Sequence, residues 1–311
     1  MKRRLITAAF ACVALLATAT VAPAQPLNAN GSPNPADPGL RLWLDSSDLS
    51  SLYQDVGGTT PAAAGQPVRR WDDKSQSNIS VQQNDGVHHP TYAGSVGSLG
   101  GVPAVSFVGG ANGDALTSTT GNSTGITGGG PLTLLTVWQR TGATSQNYQH
   151  TFQMGTTSTL QAYGHSVSRG ANLGEISNHY WGDGFNSSGT SPLGAGKMAV
   201  STYDGATDTW YVDGAPAGTR SVVVNIANTQ LQVGSRLNPF VEGFTGDLAE
   251  VILIDRVLTD DERNRLGGYV QLKYGLQIQD AVVIPEPSTV VLALLGMVGL
   301  CLAAWRRKQR A

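Results

Sequence analysis

Two neighbouring stretches decide the fold: Ala199-Val200-Ser201-Thr202-Tyr203-Asp204-Gly205 and Trp210-Tyr211-Val212-Asp213-Gly214. Each is a run of strand length, rich in β-branched and aromatic residues, that stops at an Asp-Gly pair. Such residues suit a pleated, half-buried surface, and Asp-Gly supplies the backbone of a tight hairpin turn. Working outward, similar short runs occur at Leu40-Leu44, Val102-Val108, Leu132-Gln139, Tyr148-Met154, Leu231-Val233 and Phe244-Ile254, set apart by Gly, Asn, Asp and Ser clusters. Strands do not alternate with helices, which argues against a parallel α/β sheet. The pattern predicts an all-β antiparallel sandwich with one short C-terminal helix. Thr259 is placed to cap that helix, Glu262 follows at capping-box spacing, and Gly275 is placed to end it. Gly267-Gly268 inside it costs about 1 kcal/mol per glycine against alanine.

Composition narrows the chemistry. The chain has 311 residues, 39 of them Gly, and only 14% are charged. Seven of its 20 basic residues sit at the two ends, so the middle holds 13 bases against 22 acids, a net charge of −9. That field repels phosphates and argues against nucleic acid as a partner. Both cysteines, Cys12 and Cys301, lie in terminal apolar segments. The middle therefore has no disulfide framework, cysteine zinc site or cysteine nucleophile.

The ends read as addresses. Residues 1–24 have the order of a secretory signal peptide: Lys2-Arg3-Arg4, an apolar run, then Ala22-Pro23-Ala24 as the cleavage site. An uncleaved N-terminal anchor is the alternative. Residues 25–39, with Pro26, Pro33, Pro35 and Pro38, are expected to be a linker or poorly ordered arm before a domain at 40–279. Residues 280–311 contain Pro285-Glu286-Pro287, an uncharged apolar run over 288–305 expected to form a transmembrane helix, and a basic tail over 306–311 that includes Arg306 and Arg307. The basic end stays cytoplasmic, which places the domain outside.

This C-terminal order resembles the PEP-CTERM sorting signal of Gram-negative bacteria. The resemblance implies export, signal peptidase and exosortase as partners, an inner-membrane-anchored intermediate, tail removal and an envelope or extracellular-matrix destination, often beside exopolysaccharide. The middle resembles the laminin-G-like, concanavalin-A-like jelly roll. The matching stretches are the two quoted first, Gly246-Asp247-Leu248-Ala249-Glu250-Val251, Leu258-Thr259-Asp260-Asp261-Glu262, Leu40-Arg41-Leu42-Trp43-Leu44-Asp45 and Val68-Arg69-Arg70-Trp71-Asp72-Asp73-Lys74-Ser75. That resemblance implies two curved antiparallel sheets of six to seven strands each, in a family that mostly binds glycans or proteins and includes some glycosidases and lyases.

Fold alone does not choose among those functions. Glycoside hydrolysis needs two facing carboxylates. The chain has only five Glu, and on a regular strand Asp247 and Glu250 point to opposite faces, leaving Glu250 as a structural acid. Gly164-His165-Ser166-Val167-Ser168 approaches a nucleophile elbow but lacks its last Gly and its α/β setting. His88-His89 are adjacent and diverge on extended chain, which suits no shared metal. Calcium is the one metal considered, on Asp114, Asp183, Asp204 and Asp208, against the alternative that these acids cap Gly-rich turns. The best ligand candidate is Asn178-His179-Tyr180-Trp181-Gly182-Asp183-Gly184-Phe185, with His179, Tyr180, Trp181 and Asp183 as the binding residues, because sugars stack on aromatic rings while Asp and Asn bind hydroxyls; the alternative has Tyr180 and Trp181 straddle a strand, one buried in the core and one exposed. Gln146-Asn147-Tyr148-Gln149-His150 is a polar stretch that could join it, while Trp71 and Trp210 are expected in the core. The favoured function is non-catalytic binding of glycan or matrix polymer. An adhesive protein-binding module and a carbohydrate-active hydrolase or lyase are the alternatives.

Overall fold

The computed structural model describes residues 25–284 apart from 111–112, 120–123, 144–147, 168–173, 228–229 and 238–240, together with Met297. The expected signal peptide with Ala22 and Ala24, the motif Pro285-Glu286-Pro287, the apolar span (Met297 excepted) and the tail with Arg306 and Arg307 lie outside the described residues. Among the described residues no helix is long and apolar enough to cross a membrane.

The chain forms β1 (Leu40–Asp45), β2 (Leu52–Tyr53), β3 (Arg70–Asp72), β4 (Ser80–Gln82), β5 (Thr91–Ser95) and β6 (Pro103–Phe107). Then come β7 (Leu116–Ser118), β8 (Leu132–Arg140), β9 (His150–Gly155), β10 (Ala162–Ser166), β11 (Glu175–His179) and β12 (Gly184–Thr190). The last elements are β13 (Gly196–Tyr203), β14 (Thr207–Val212), β15 (Ala215–Ser221), β16 (Gln230–Val233), β17 (Gly246–Ile254) and the helix α1 (Asp260–Tyr274). One sheet of eight strands runs β15-β14-β13-β8-β17-β6-β5, with β1 also on β17. The other, of nine, runs β12-β11-β10-β9-β16-β7-β4-β3-β2. The sheets are thus wider than the six to seven strands expected, because very short strands are added to them: β2, β3 and β4 extend one edge of the larger sheet.

Between the sheets lies one apolar core that includes Trp71, Trp138, Trp210, Phe152, Met154, Leu231 and Val233. A second cluster joins the outer face of the eight-stranded sheet (Leu135, Val137, Met198, Val200, Ile252, Ile254) to Leu266, Val270 and Tyr274 of α1. The molecule therefore has three layers: helix, sheet, sheet. β17 is buried along its whole length, as a strand covered on both sides must be. Thr259 and Glu262 form the expected capping box, and Gly275 ends the helix at φ +67°.

A bulge in β17 changes one expectation. Leu248 pairs with Trp138 and Glu250 with Val137, so two residues of β17 pass one step of β8. Asp247 and Glu250 consequently lie on the same, helix-facing side of the sheet rather than on opposite faces. Glu250 is fully buried there, taking hydrogen bonds from Trp43 Nε1 at 2.7 Å, Tyr269 Oη at 2.7 Å and Tyr274 Oη at 2.9 Å. Lys273 bridges Glu250 at 3.3 Å and Asp45 at 2.8 Å. These contacts fasten α1 to the sheet.

Both ends of the domain pack on α1. Residues 25–39 do not hang free as a linker would: Leu27 is buried, and Gly31 passes so close to Arg265 that a Cβ there would lie 1.9 Å from its carbonyl oxygen. After Gly275 the chain doubles back across the helix. Ile278 is buried over Gly267, and the Val282 amide donates to the Asn264 carbonyl at 2.9 Å. A Cβ on Gly268 would sit 2.0 Å from the Val282 oxygen. The glycine pair that weakens the helix is what lets this strap lie flat against it.

Candidate functional site

The outer face of the nine-stranded sheet is polar. Phe152 and Met154 of β9, and Leu231 and Val233 of β16, point into the core, so Gln153 and Gln232, which pair directly across the two strands, point outward. On β11, Ile176 faces the core and Ser177 and His179 face out. Ser166 joins them, 2.6 Å from Ser177 Oγ. Ser235 and Leu237 roof part of this face. The Leu237 amide donates to Gln153 Oε1 at 3.0 Å, and Gln232 Nε2 donates to Ser235 Oγ at 2.7 Å.

At the uncovered end, three rings gather around His179. Its centroid lies 4.8 Å from Tyr148, 5.3 Å from His150 and 6.0 Å from Trp181. Gln153 Nε2 donates to His179 Nδ1 at 3.2 Å, which leaves the proton on Nε2 as a donor at the surface. Burial, reinforced by His150 and Arg236, lowers its pKa to about 3, so the ring is neutral at physiological pH. His150 is fully buried with Nδ1 lacking a hydrogen-bond partner, and its Nε2 lies 3.5 Å from Glu242. Burial lowers its pKa as well.

Trp181 has φ +64° and Gly182 φ +70°, and the Tyr180 amide donates to the Asp183 carbonyl at 3.0 Å. These are the marks of a two-residue hairpin turn between β11 and β12, with Trp where Asn or Gly is usual. A bulky residue in the left-handed region is strained, and such strain gathers at functional sites. Its ring is half-buried, with Arg236 stacked 4.6 Å from the centroid. Glu242, also at positive φ (+52°), pairs with Arg236 at 3.3 Å. Asp183 pairs with Arg220 at 2.5 Å, and that partner lowers its pKa. Burial would raise the Glu242 carboxyl, but His150 and Arg236 outweigh it and hold it low.

The expected aromatic run is therefore split by the alternation of the strand. His179 and Trp181 lie at the outer site, whereas Tyr180 is fully buried in the core and donates to Asp208 at 2.5 Å, and Asp183, opposite Tyr180 in the hairpin, pairs with Arg220 of β15 in the other sheet. Asp208 is itself fully buried, accepting also from Tyr163 (2.6 Å), Trp210 (2.7 Å) and Asn178 (2.9 Å). It is a structural acid tying the sheets together, not a ligand for an exposed ion. The other acids considered for calcium are apart from it and serve turns: Asp114 accepts from the Val108 amide and Asp204 from the amides of Ala206 and Thr207. Among the described residues no three His, Cys, Asp or Glu gather as a metal site requires. The Gly164-His165-Ser166 stretch lies on β10, with His165 turned into the core against Thr136 and Ser201 at 2.8 Å each. Ser168, like Gln146 and Asn147, is outside the described residues.

Sequence reasoning reached Tyr148 and His150 but missed Gln153, Gln232, Arg236 and Glu242. A usable signal existed: Phe152-Gln153-Met154 and Leu231-Gln232-Val233 each set one amide between two apolar residues, the pattern of a strand with one polar face.

Residues 110–262 match the concanavalin A-like lectin/glucanases superfamily, and residues 283–308 match the PEP-CTERM protein-sorting motif. The motif marks the chain as an exosortase substrate, exported through a membrane-anchored sorting intermediate. No curated protein matches it in sequence. Among solved structures, a GH54 α-L-arabinofuranosidase soaked with a cyclic sulfate inhibitor has a TM-score of 0.54 at 14% identity, covering 80% of this chain and 65% of that one. An arabinofuranosidase complexed with arabinofuranosyl-α-1,2-xylobiose has a TM-score of 0.54 at 14% identity, covering 76% and 63%. Domain 4 of AbnA, a GH43 extracellular arabinanase from Geobacillus stearothermophilus solved with arabinotriose, has a TM-score of 0.45 at 13% identity, covering 73% and 98%. The chain thus spans just under two thirds of the length of the two arabinofuranosidases, and at such identity the likeness is one of fold.

Proposed function

For an exported chain that carries a concanavalin A-like domain and an exosortase sorting motif, we propose that the domain binds a neutral glycan of the envelope or matrix, without catalysis, on the outer face of its nine-stranded sheet. The observation that carries this reading is the pair of half-buried rings Tyr148 and Trp181 on either side of His179, at the edge of a buried layer of amides and hydroxyls. Flat apolar sugar faces stack on such rings, and sugar hydroxyls exchange hydrogen bonds with polar groups at their rim, such as the Tyr148 hydroxyl and the neutral His179. Neutral rather than acidic sugars fit, because Arg236, the cation stacked on Trp181, is already matched by Glu242.

The acids near the site support binding without catalysis. A glycosidase needs one carboxyl held protonated beside a second carboxylate. Asp183 and Glu242 are both held below the ordinary carboxylate range, so neither is a proton donor at neutral pH. In this reading the exopolysaccharide around the cell is the partner and the tail is removed once sorting is complete. The test is a binding assay of the 25–284 fragment against neutral and acidic polysaccharides, with reducing-end release measured alongside. Retention by a neutral polymer, loss of at least tenfold in affinity in Trp181→Ala, and no released ends are expected. Turnover of the polymer, or binding to a surface protein alone, would refute the reading.

A further inference from the structure

The strap over α1 ends where the sorting motif begins. The last anchored residue is Val282, whose amide is bonded to Asn264 and whose carbonyl lies against Gly268. Earlier along the strap, the Gln279 amide donates to the Asp213 carbonyl at 2.8 Å, and Leu276 and Ile278 are buried. Val282 and Val283 are exposed on their outer side, and Pro285 follows two residues on. Between Val282 and the apolar span at Ser288 lie only five residues, roughly 20 Å of fully extended chain. With the strap seated, the residues just upstream of Pro285-Glu286-Pro287 are thus held on the folded domain.

A processing enzyme takes its substrate as an extended strand, with several residues free on either side of the bond it acts on. We propose that residues 276–283 are an autoinhibitory strap: exosortase processing waits for the strap to lift from α1, and its docking equilibrium sets the maturation rate. The lifting is local, because the strap is held by a few apolar contacts and single backbone bonds, and not by a sheet. When opening and closing are fast relative to processing, the rate follows the population of the open form. The glycine pair is then a compromise: it weakens α1 but gives the strap its seat. This inference rests on the chain being an exosortase substrate, and not on what the domain binds.

Gly268→Ala tests it in the full-length chain, expressed in an exporting host with its own sorting peptidase. The added Cβ displaces Val282, while Ala favours the helix, so the domain stays folded. Maturation is followed by pulse-chase and by the mass of the C-terminus, and hydrogen exchange at the Val282 amide reports whether the strap is seated. The expected result is loss of Val282 protection and maturation three- to tenfold faster than wild type. A spacer of eight Gly and Ser residues between Ile284 and Pro285 should give the same acceleration, and Gly268→Ala should add nothing to it. Maturation at or below the wild-type rate with the strap lifted, an unchanged rate with the spacer, or a Val282 amide still protected in Gly268→Ala would each overturn the proposal.

Discussion

Trp181 concentrates the question of function in one residue. Its left-handed backbone is a conformation that Asn adopts at lower cost, and its indole is held by Arg236 and not by the core. Trp181→Asn is therefore expected to leave the melting temperature within a few degrees of wild type, or raise it, while lowering polymer affinity at least tenfold. Calorimetry beside a binding assay separates the two effects. A drop in stability of several kcal/mol would mean that the ring is a packing element. Asp208 is the opposite case. Four donors converge on a carboxylate without solvent, so Asp208→Ala strands buried tyrosine, tryptophan and asparagine groups. A loss of about 3 to 5 kcal/mol in denaturant unfolding is expected. Before the fold is known, Asp208 looks like any Asp near a Gly-rich turn. Its role depends on Tyr163, Asn178 and Tyr180 arriving from the other sheet, which no local pattern announces.

The elements were legible in proportion to their hydrophobicity. β8 and β17 carry long runs of Val, Leu, Ile and Thr, and β13 and β14 mix β-branched and aromatic residues before Asp-Gly turns, so all four are legible in the sequence. β5 (Tyr92 in a Thr-Ala-Gly-Ser setting), β12 (Phe185 followed by Asn and Ser) and β15 (Ala, Pro and Gly) look like loops because they are edge strands with little to bury. The capping box of α1 was readable because it is local, whereas the reason for Gly267-Gly268 was not, since it lies in a strap that folds back over them. Docking of α1 turns on Glu250. Glu250→Gln keeps the shape but loses the charge that Lys273 pairs with, and a destabilisation of about 1 to 3 kcal/mol is expected. Glu250→Leu should cost more, because it strands Trp43, Tyr269 and Tyr274. Equal stability of Glu250→Gln and wild type in urea unfolding would contradict this account of how the helix is held.

At the scale of the whole molecule, the faces divide the work. The helix face gathers both ends of the described domain, and the opposite face carries the candidate site. The buried histidines make the sandwich acid-sensitive. Burial lowers His165 and His179 to about 3, below the ordinary value near 6.5, so the unfolded chain binds more protons between those limits. Stability is then full above about pH 6.5 and falls by up to about 1.4 kcal/mol per pH unit for each histidine as acid is added. Asp45 adds to this at lower pH: burial opposes its ionisation, but Lys273, Ser47 and Lys74 hold it at about 2, so its contribution fades as pH falls from about 4 to 2. Melting temperatures should be level from pH 7.5 to about 6.5 and fall from there to pH 4.5, and a flat profile throughout would show that the histidines are hydrated.

The claim on which the functional account depends is where a sugar binds. Amide shifts of the 15N-labelled 25–284 fragment, titrated with oligosaccharides of a neutral polymer it retains, measure that directly. The account predicts changes at Tyr148, Gln153, His179, Trp181 and Gln232, with Lys197, Asp213 and Gln279 on the far side of the molecule still. Shifts confined to the helix face, or none at saturating oligosaccharide, would contradict it.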